Sequence, residues 1–128
     1  MGVQALDHVN IRVNDPEATR EFLTTILGMG RSAEQPAWIT DEAGRPVLHV
    51  GGVGDPYPID DWRPFKGSRD GGAVHHVALS CADYEAMLAR LERAGVDHRT
   101  SAYPPMQLRQ IFVVEPGGVM LELNFFGS

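Results

Sequence analysis

The stretches LDHVNIRVND, residues 6–15, and VHHVALSCAD, residues 74–83, repeat one layout within a single chain. Each sets a histidine two residues into a strand-like run and closes on an acidic residue ahead of a helix. An internal repeat constrains a fold strongly, because each copy must build the same supersecondary unit. An offset of 68 sets His8 on His76, Val9 on Val77, Ile11 on Leu79, Asp15 on Asp83, Glu17 on Glu85 and Ala18 on Ala86. For the tails of the halves, an offset of 73 lays WITDEAGRPVLHV (38–50) on IFVVEPGGVMLEL (111–123). That second alignment pairs Gly44 with Gly117, Leu48 with Leu121 and Val50 with Leu123.

Each half reads as strand, helix, then three strands. Val9, Ile11 and Val13 alternate with His8, Asn10 and Arg12, the period of a strand with one buried face. Asn14-Asp15-Pro16-Glu17 has the order of a helix start: an Asx cap, proline in the first turn, and an acid at the positive end of the dipole. The helix it opens points Phe22, Leu23, Ile26 and Leu27 inward and stops at Gly28. In the second half Asp83 caps a helix with Met87, Leu88 and Leu91 inward, ending at Gly95. DEAG and EPGG are hairpin turns. The expectation is an α+β chain of two βαβββ modules in one domain. Module one spans about 3–52, a connecting loop about 53–72, and module two about 73–127.

Composition narrows the function. The net charge of −6, with only Arg63, Lys66 and Arg69 as a loose basic group, argues against nucleic acid or an anionic membrane as partner. Cys81 is the single cysteine, so no intrachain disulfide forms, which fits a reducing cytoplasm. The segment MGVQALDHVN lacks the pattern of a signal peptide, and no run is long enough to span a bilayer. The expectation is a small cytoplasmic protein.

The chemistry gathers on the polar faces of the strands. Val9/Ile11/Val13 and Val77/Leu79/Cys81 form the apolar faces, so His8 and His76 point the other way, with Asn10 and Ala78 beside them. In the last strand Leu121, Leu123 and Phe125 face the core, while Glu122 and Asn124 face away. By the repeat, His49 takes the place of Glu122. One face thus collects His8, His49, His76 and Glu122. Taken singly, each has an ordinary structural reading, a hydrogen-bonded histidine or a solvated carboxylate. Yet VMLELNFF is apolar around Glu122, and an unpaired buried carboxylate is costly. Imidazoles and a carboxylate together suit iron, manganese, nickel, cobalt or zinc.

This arrangement resembles the vicinal oxygen chelate superfamily of glyoxalase I, bleomycin-resistance and extradiol-dioxygenase proteins, over almost the whole chain. The resemblance implies that the two modules form a cupped, incompletely closed β-barrel around one divalent metal. LDHVNIRV looks like the family's first metal strand, with His8 as ligand, and HHVALS like its second, with His76 rather than His75. GVMLELNF looks like the final strand, with Glu122 as the carboxylate ligand. GRPVLHV falls where glyoxalase I has a fourth ligand, a glutamate; here it is His49, which completes the metal's shell, acts as a base, or lines the pocket.

Such a metal would chelate neighbouring oxygens of a small substrate as a Lewis acid. Three chemistries start this way: proton transfer beside a carbonyl (lyases and epimerases, with Glu122 as base), oxygen-dependent catechol cleavage by iron, and thiol addition to an epoxide antibiotic. The competing reading is a metal-free protein that sequesters a drug, as other members of the superfamily do. Asn10 and Asn124 flank the ligands and would orient them or touch substrate. Strand alternation lets only one of Arg109 and Gln110 face the pocket, arginine suiting an anionic group. Residues 51–72, which contain Tyr57, Trp62 and Phe65, read either as a lid that carries Trp62 and Phe65 over the metal or as an inert linker. A homodimer is expected, because superfamily members pair modules within a chain or between chains.

Overall fold

The computed structural model describes residues 1–67 and 72–127. Residues 68–71, part of the loop read as a lid and including Arg69, lie outside the described residues. The chain divides into two compact units, residues 1–66 and 67–128. Each contains one α+β module.

In the first unit, β1 (Val9–Val13) leads into α1 (Pro16–Glu21), a wider π turn (Phe22–Ile26), β2 (Gly30–Arg31), β3 (Trp38–Thr40) and β4 (Pro46–Gly52). In the second, β5 (Val77–Ser80) leads into α2 (Tyr84–Arg93), β6 (His98–Tyr103), a 3-10 turn (Pro104–Met106), β7 (Leu108–Val114) and β8 (Met120–Phe126). Both are βαβββ units, as the repeat implies. The strand orders are β1-β4-β3-β2 and β5-β8-β7-β6, two open four-stranded sheets. In each, the first strand pairs parallel with the last, which brings the two ends of the module side by side.

Alternation decides what is buried. Ile11, Val13, Ile39, Leu48 and Val50 are core residues of the first unit, with Leu23 and Leu27 from the helical segment. Ile111, Val113, Leu121, Leu123 and Phe125 form the second core with Met87 and Leu91 of α2. Burying each of these aliphatic side chains contributes roughly 1.5–3 kcal/mol. The flanking positions Phe22, Ile26 and Leu88 are only half-buried.

The Asp15 carboxylate accepts the Ala18 N–H at 3.1 Å and caps α1 as its sequence implies. Asp83 also precedes its helix, but makes no side-chain cap. Its backbone is left-handed at φ 63°, whereas a capping oxygen reaches the helix from an extended residue. The β-branched run Thr24-Thr25-Ile26 favours helix poorly, and Thr24 Oγ1 bonds back to Arg20 O at 2.9 Å where α1 widens.

Two boundaries differ from the sequence reading. The strands start at Val9 and Val77, so His8 and His76 stand just ahead of the ladders and not within them. The hairpin alignment also slips by one residue. Ile39 pairs with Leu48 but Thr40 with Pro46, leaving Val47 as an extra, bulged residue. The positive-φ turn glycine equivalent to Gly44 is consequently Gly118, not Gly117. In each turn this glycine's N–H bonds three residues back, to Asp41 O and Glu115 O respectively. Beyond the bulge the offset of 73 holds: Val9 pairs with Leu48 and Val77 with Leu121. His49 and Glu122 therefore occupy equivalent places.

Candidate functional site

Side chains directly opposite across neighbouring strands share a face of the sheet. In the first module one such row is Asn10, His49 and Trp38, from β1, β4 and β3. The Trp38 indole lies flat on the His49 ring, centroids 4.4 Å apart and 12° from parallel. His8 meets the same indole edge-on at 4.5 Å, and Trp38 thus stands between the two imidazoles. His8 Nδ1 is 2.6 Å from Asp7 Oδ2, a contact that leaves Nε2 as the ring's other nitrogen.

His49 is held by a small network. Its Nδ1 lies 2.9 Å from Asn10 Nδ2 and 3.0 Å from the Tyr57 hydroxyl, and Asn10 also donates to Tyr57 at 3.1 Å. Tyr57 comes from the segment after β4 and is covered by the Arg12 guanidinium, 4.8 Å from its ring centre. Arg12 is itself fixed by Gly52 O at 3.0 Å and by the Asp55 carbonyl. Burial, and then electrostatic repulsion by His8, Arg12 and Arg20, pushes the His49 pKa below its ordinary value, favouring the neutral ring. An open cavity of about 350 Å³ in this module is lined by Asp7 and Trp38, the two partners of His8, with Ser32, Glu34, Gln35 and Pro46.

In the second module the matching row is Ala78, Glu122, Phe112 and Arg99. The Glu122 Oε1 lies 3.4 Å from His76 Nε2. The other oxygen accepts from Asn124 Nδ2 at 2.9 Å, and Asn124 Oδ1 accepts from Gln110 Nε2 at 3.1 Å. This relay fixes the carboxylate plane and leaves one oxygen turned to the imidazole. His76 Nδ1 is 2.9 Å from His75 Nδ1, so both histidines of the HH pair are engaged.

The strand carrying Arg109 and Gln110 divides them as alternation requires, and it is Gln110 that shares the face of Glu122. Arg109 lies on the helix side, its guanidinium 3.8 Å from the Tyr84 ring centre and 3.3 Å from Glu85. Trp62 is 76% exposed, and Phe65 lies 5.9 Å from the Arg12 guanidinium. Cys81 is half-buried with its thiol pKa raised by that burial, unsuited to a nucleophile.

Trp38 and Asp7 escaped the sequence reading, which has Tyr57 only as one of the aromatics of the 51–72 loop. Trp38 was aligned one residue off, on Ile111, because the bulge at Val47 is invisible in the pattern; its true counterpart is Phe112. Asp7 could have been found as a carboxylate adjoining a candidate ligand. The bond between Tyr57 and His49 follows only from the fold of the loop.

Within either module, among the described residues, no three histidine, cysteine or acidic side chains cluster around one point. The first module carries the imidazoles of His8 and His49, the second the imidazole of His76 and the carboxylate of Glu122. The donor chemistry fits a borderline divalent metal, since Nε2 of His8 is set up by a carboxylate on Nδ1 and His76 Nε2 already faces an oxygen anion. No helix among the described residues is long and apolar enough to cross a membrane.

The fold is shared with several solved structures. A protein from the mobile metagenome of V. Pseudocholerae superposes with a TM-score of 0.69 at 18% identity, covering 100% of this chain and 98% of that one. TnmS3, an antibiotic binding protein from Streptomyces sp. CB03234, gives 0.66 at 22% identity, with 99% of each chain covered. The fosfomycin resistance protein FosX from Listeria monocytogenes gives 0.65 at 16% identity, covering 98% and 95%. At these identities the likeness is one of fold. No curated protein sequence matches. The profile of the Glyoxalase/Bleomycin resistance protein/Dioxygenase superfamily matches residues 5–123. With the repeated βαβββ modules and a match over nearly its whole length, the chain belongs to that superfamily.

Proposed function

We propose that the protein is a metal-dependent enzyme of small-molecule metabolism that takes a substrate with adjacent oxygens. The ligands in this reading are His8, His76 and Glu122, with His49 as a further candidate. The carrying observation is the equivalence of His49 and Glu122 on the two last strands, with His76 Nε2 3.4 Å from Glu122. One divalent ion, Fe, Mn, Ni, Co or Zn, would supply Lewis-acid polarisation of a substrate carbonyl.

The chain's own groups then have definite tasks. Glu122, with Oε2 held by Asn124, has Oε1 as its one open oxygen, which would hold the ion or, in a glyoxalase-like lyase or isomerase, take a proton from the carbon beside a substrate carbonyl. Gln110 steadies Asn124, and Asn10 steadies His49. An extradiol dioxygenase would use the same three ligands with His49 as the nearby imidazole. Trp62 and Phe65 would exclude water when the loop of residues 51–72 closes. A second reading, a metal-free protein that sequesters a drug-like ligand, is supported by the likeness to the antibiotic binding protein TnmS3 and by the flat aromatic wall of Trp38 and His49. We further propose a cytoplasmic homodimer.

Metal analysis of untagged protein, followed by titration with the five ions, separates the two readings. One ion per chain is expected, and Glu122→Gln should weaken its binding by about ten- to a hundredfold. Absence of metal together with no uptake from excess of any of the five ions would refute the enzyme reading and leave the sequestering one.

A further inference from the structure

Two histidines of one module have neighbours of opposite character. Asp7 carries only acceptor oxygens, so at 2.6 Å it draws a proton onto His8 Nδ1 and leaves the lone pair on Nε2. The Asn10 amide nitrogen carries only hydrogens, and it lies 2.9 Å from His49 Nδ1. A proton on that nitrogen would set two donors head to head. The second amide hydrogen goes to the Tyr57 oxygen at 3.1 Å, which frees the Tyr57 hydrogen to turn toward the same Nδ1 at 3.0 Å. Tyr57 cannot swing away easily, because Arg12 covers its ring and is tied to the Gly52 and Asp55 carbonyls.

We propose that His49 serves the site as a hydrogen-bond donor through Nε2–H, and not as a ligand of the metal, with Asn10 and Tyr57 as positioning residues that set its tautomer. This rests on the functional reading above and assigns His49 within it. A nitrogen that ligates a metal must offer a lone pair, and in this network the Nε2 lone pair is replaced by a hydrogen. Trp38, stacked flat at 4.4 Å, fixes the plane in which that hydrogen points. A donor therefore stands at the place where the other module presents the Glu122 carboxylate. The ligand it selects is one with an acceptor oxygen at that position, either a carbonyl that gains negative charge or an anionic oxygen already formed.

The test is long-range proton–nitrogen NMR on protein labelled with 15N-histidine, above neutral pH, with the His49 signals assigned by their loss in His49→Gln. A protonated Nε2 and a bare Nδ1 are expected, both without metal and after titration with Zn(II). Asn10→Asp, which puts an acceptor against Nδ1, should move the proton to Nδ1, and His49→Gln should change Zn(II) affinity by less than about threefold, against the ten- to hundredfold expected of a lost ligand contact. A proton on Nδ1 in the unsubstituted protein would mean that Asn10 presents its carbonyl oxygen, and would overturn the assignment. So would loss of the Nε2 proton on Zn(II) binding. If Zn(II) does not bind, the titration is repeated with Fe, Mn, Ni and Co, and only failure of all five ions ends the metal reading, while the tautomer of the metal-free protein still decides this one.

Discussion

Glu115 and Asp41 hold the same turn position in the two modules, and replacing each with alanine compares a fully buried anchor with a half-buried one. Glu115 is 1% exposed. Its two oxygens accept the Gly117 N–H at 2.6 Å and the Val119 N–H at 2.9 Å, closing the turn between β7 and β8. Hydrogen bonds to a charged group contribute about 1.5–3 kcal/mol each, so losing two in Glu115→Ala should cost about 3–6 kcal/mol. For a chain of this size that is a fall in Tm of about 11–22 °C. Glu115→Gln keeps one acceptor but turns an NH2 toward the other N–H, and should fall between the two. Asp41 accepts the Arg45 N–H at 2.9 Å and pairs with the Arg45 side chain in a far more solvated setting. Asp41→Ala should therefore shift Tm clearly less. The measurement is a set of thermal melts of the four proteins at one pH. If Glu115→Ala melts within about 3 °C of the parent, or no lower than Asp41→Ala, burial is not what gives this carboxylate its weight.

Further outcomes follow from other sites. Glu17, bonded to Arg31 and then to Arg20, has its pKa lowered from 4.5 to about 2, so its stabilising effect is complete above pH 4.5 and fades as pH falls toward 2. The Tm gap between the parent and Glu17→Gln should shrink across that window, and a gap that stays constant with pH would contradict the pairing. Trp62→Ala should raise the dissociation constant of a chelating inhibitor, leaving metal content unchanged and stability within about 0.5 kcal/mol. Unchanged inhibitor affinity with a lower Tm would make the indole padding and remove the lid. Sedimentation at micromolar concentration should report a dimer; a pure monomer would rule out the homodimer.

Much of this molecule could be read from period and punctuation. Alternation along Val9–Val13 and Met120–Phe126 told core from pocket face, and the Asp15-Pro16 start of α1 carried its own cap. The pairing of His49 with Glu122 was also accessible, since both sit one place after a core leucine, Leu48 and Leu121. What escaped was set by single residues whose roles depend on distant chain. Val47 looks like any strand valine, yet as a bulge it shifts every equivalence on its turn side. Whether Asp83 caps its helix depends on a backbone angle, and its residue type is the same as that of Asp15, which does cap. Tyr57 reaches His49 only because Arg12 and the Asp55 carbonyl shape the intervening loop.

The bulge at Val47 also separates two kinds of constraint along β4. On its far side the parallel ladder to β1 fixes His49 against Asn10, while on its near side the hairpin turn obeys its own hydrogen bonds at Asp41 and Gly44. A strand that slips by one residue normally exchanges its inward and outward side chains. Here the surplus residue is absorbed before the ladder begins, so the wall that carries His49 keeps its facing. The hairpin of residues 41–47 is thus a length buffer: it can gain or lose a residue without changing which side chains share the face of His49. Variation in loop length can accumulate there while the chemistry stays where the first strand has pinned it.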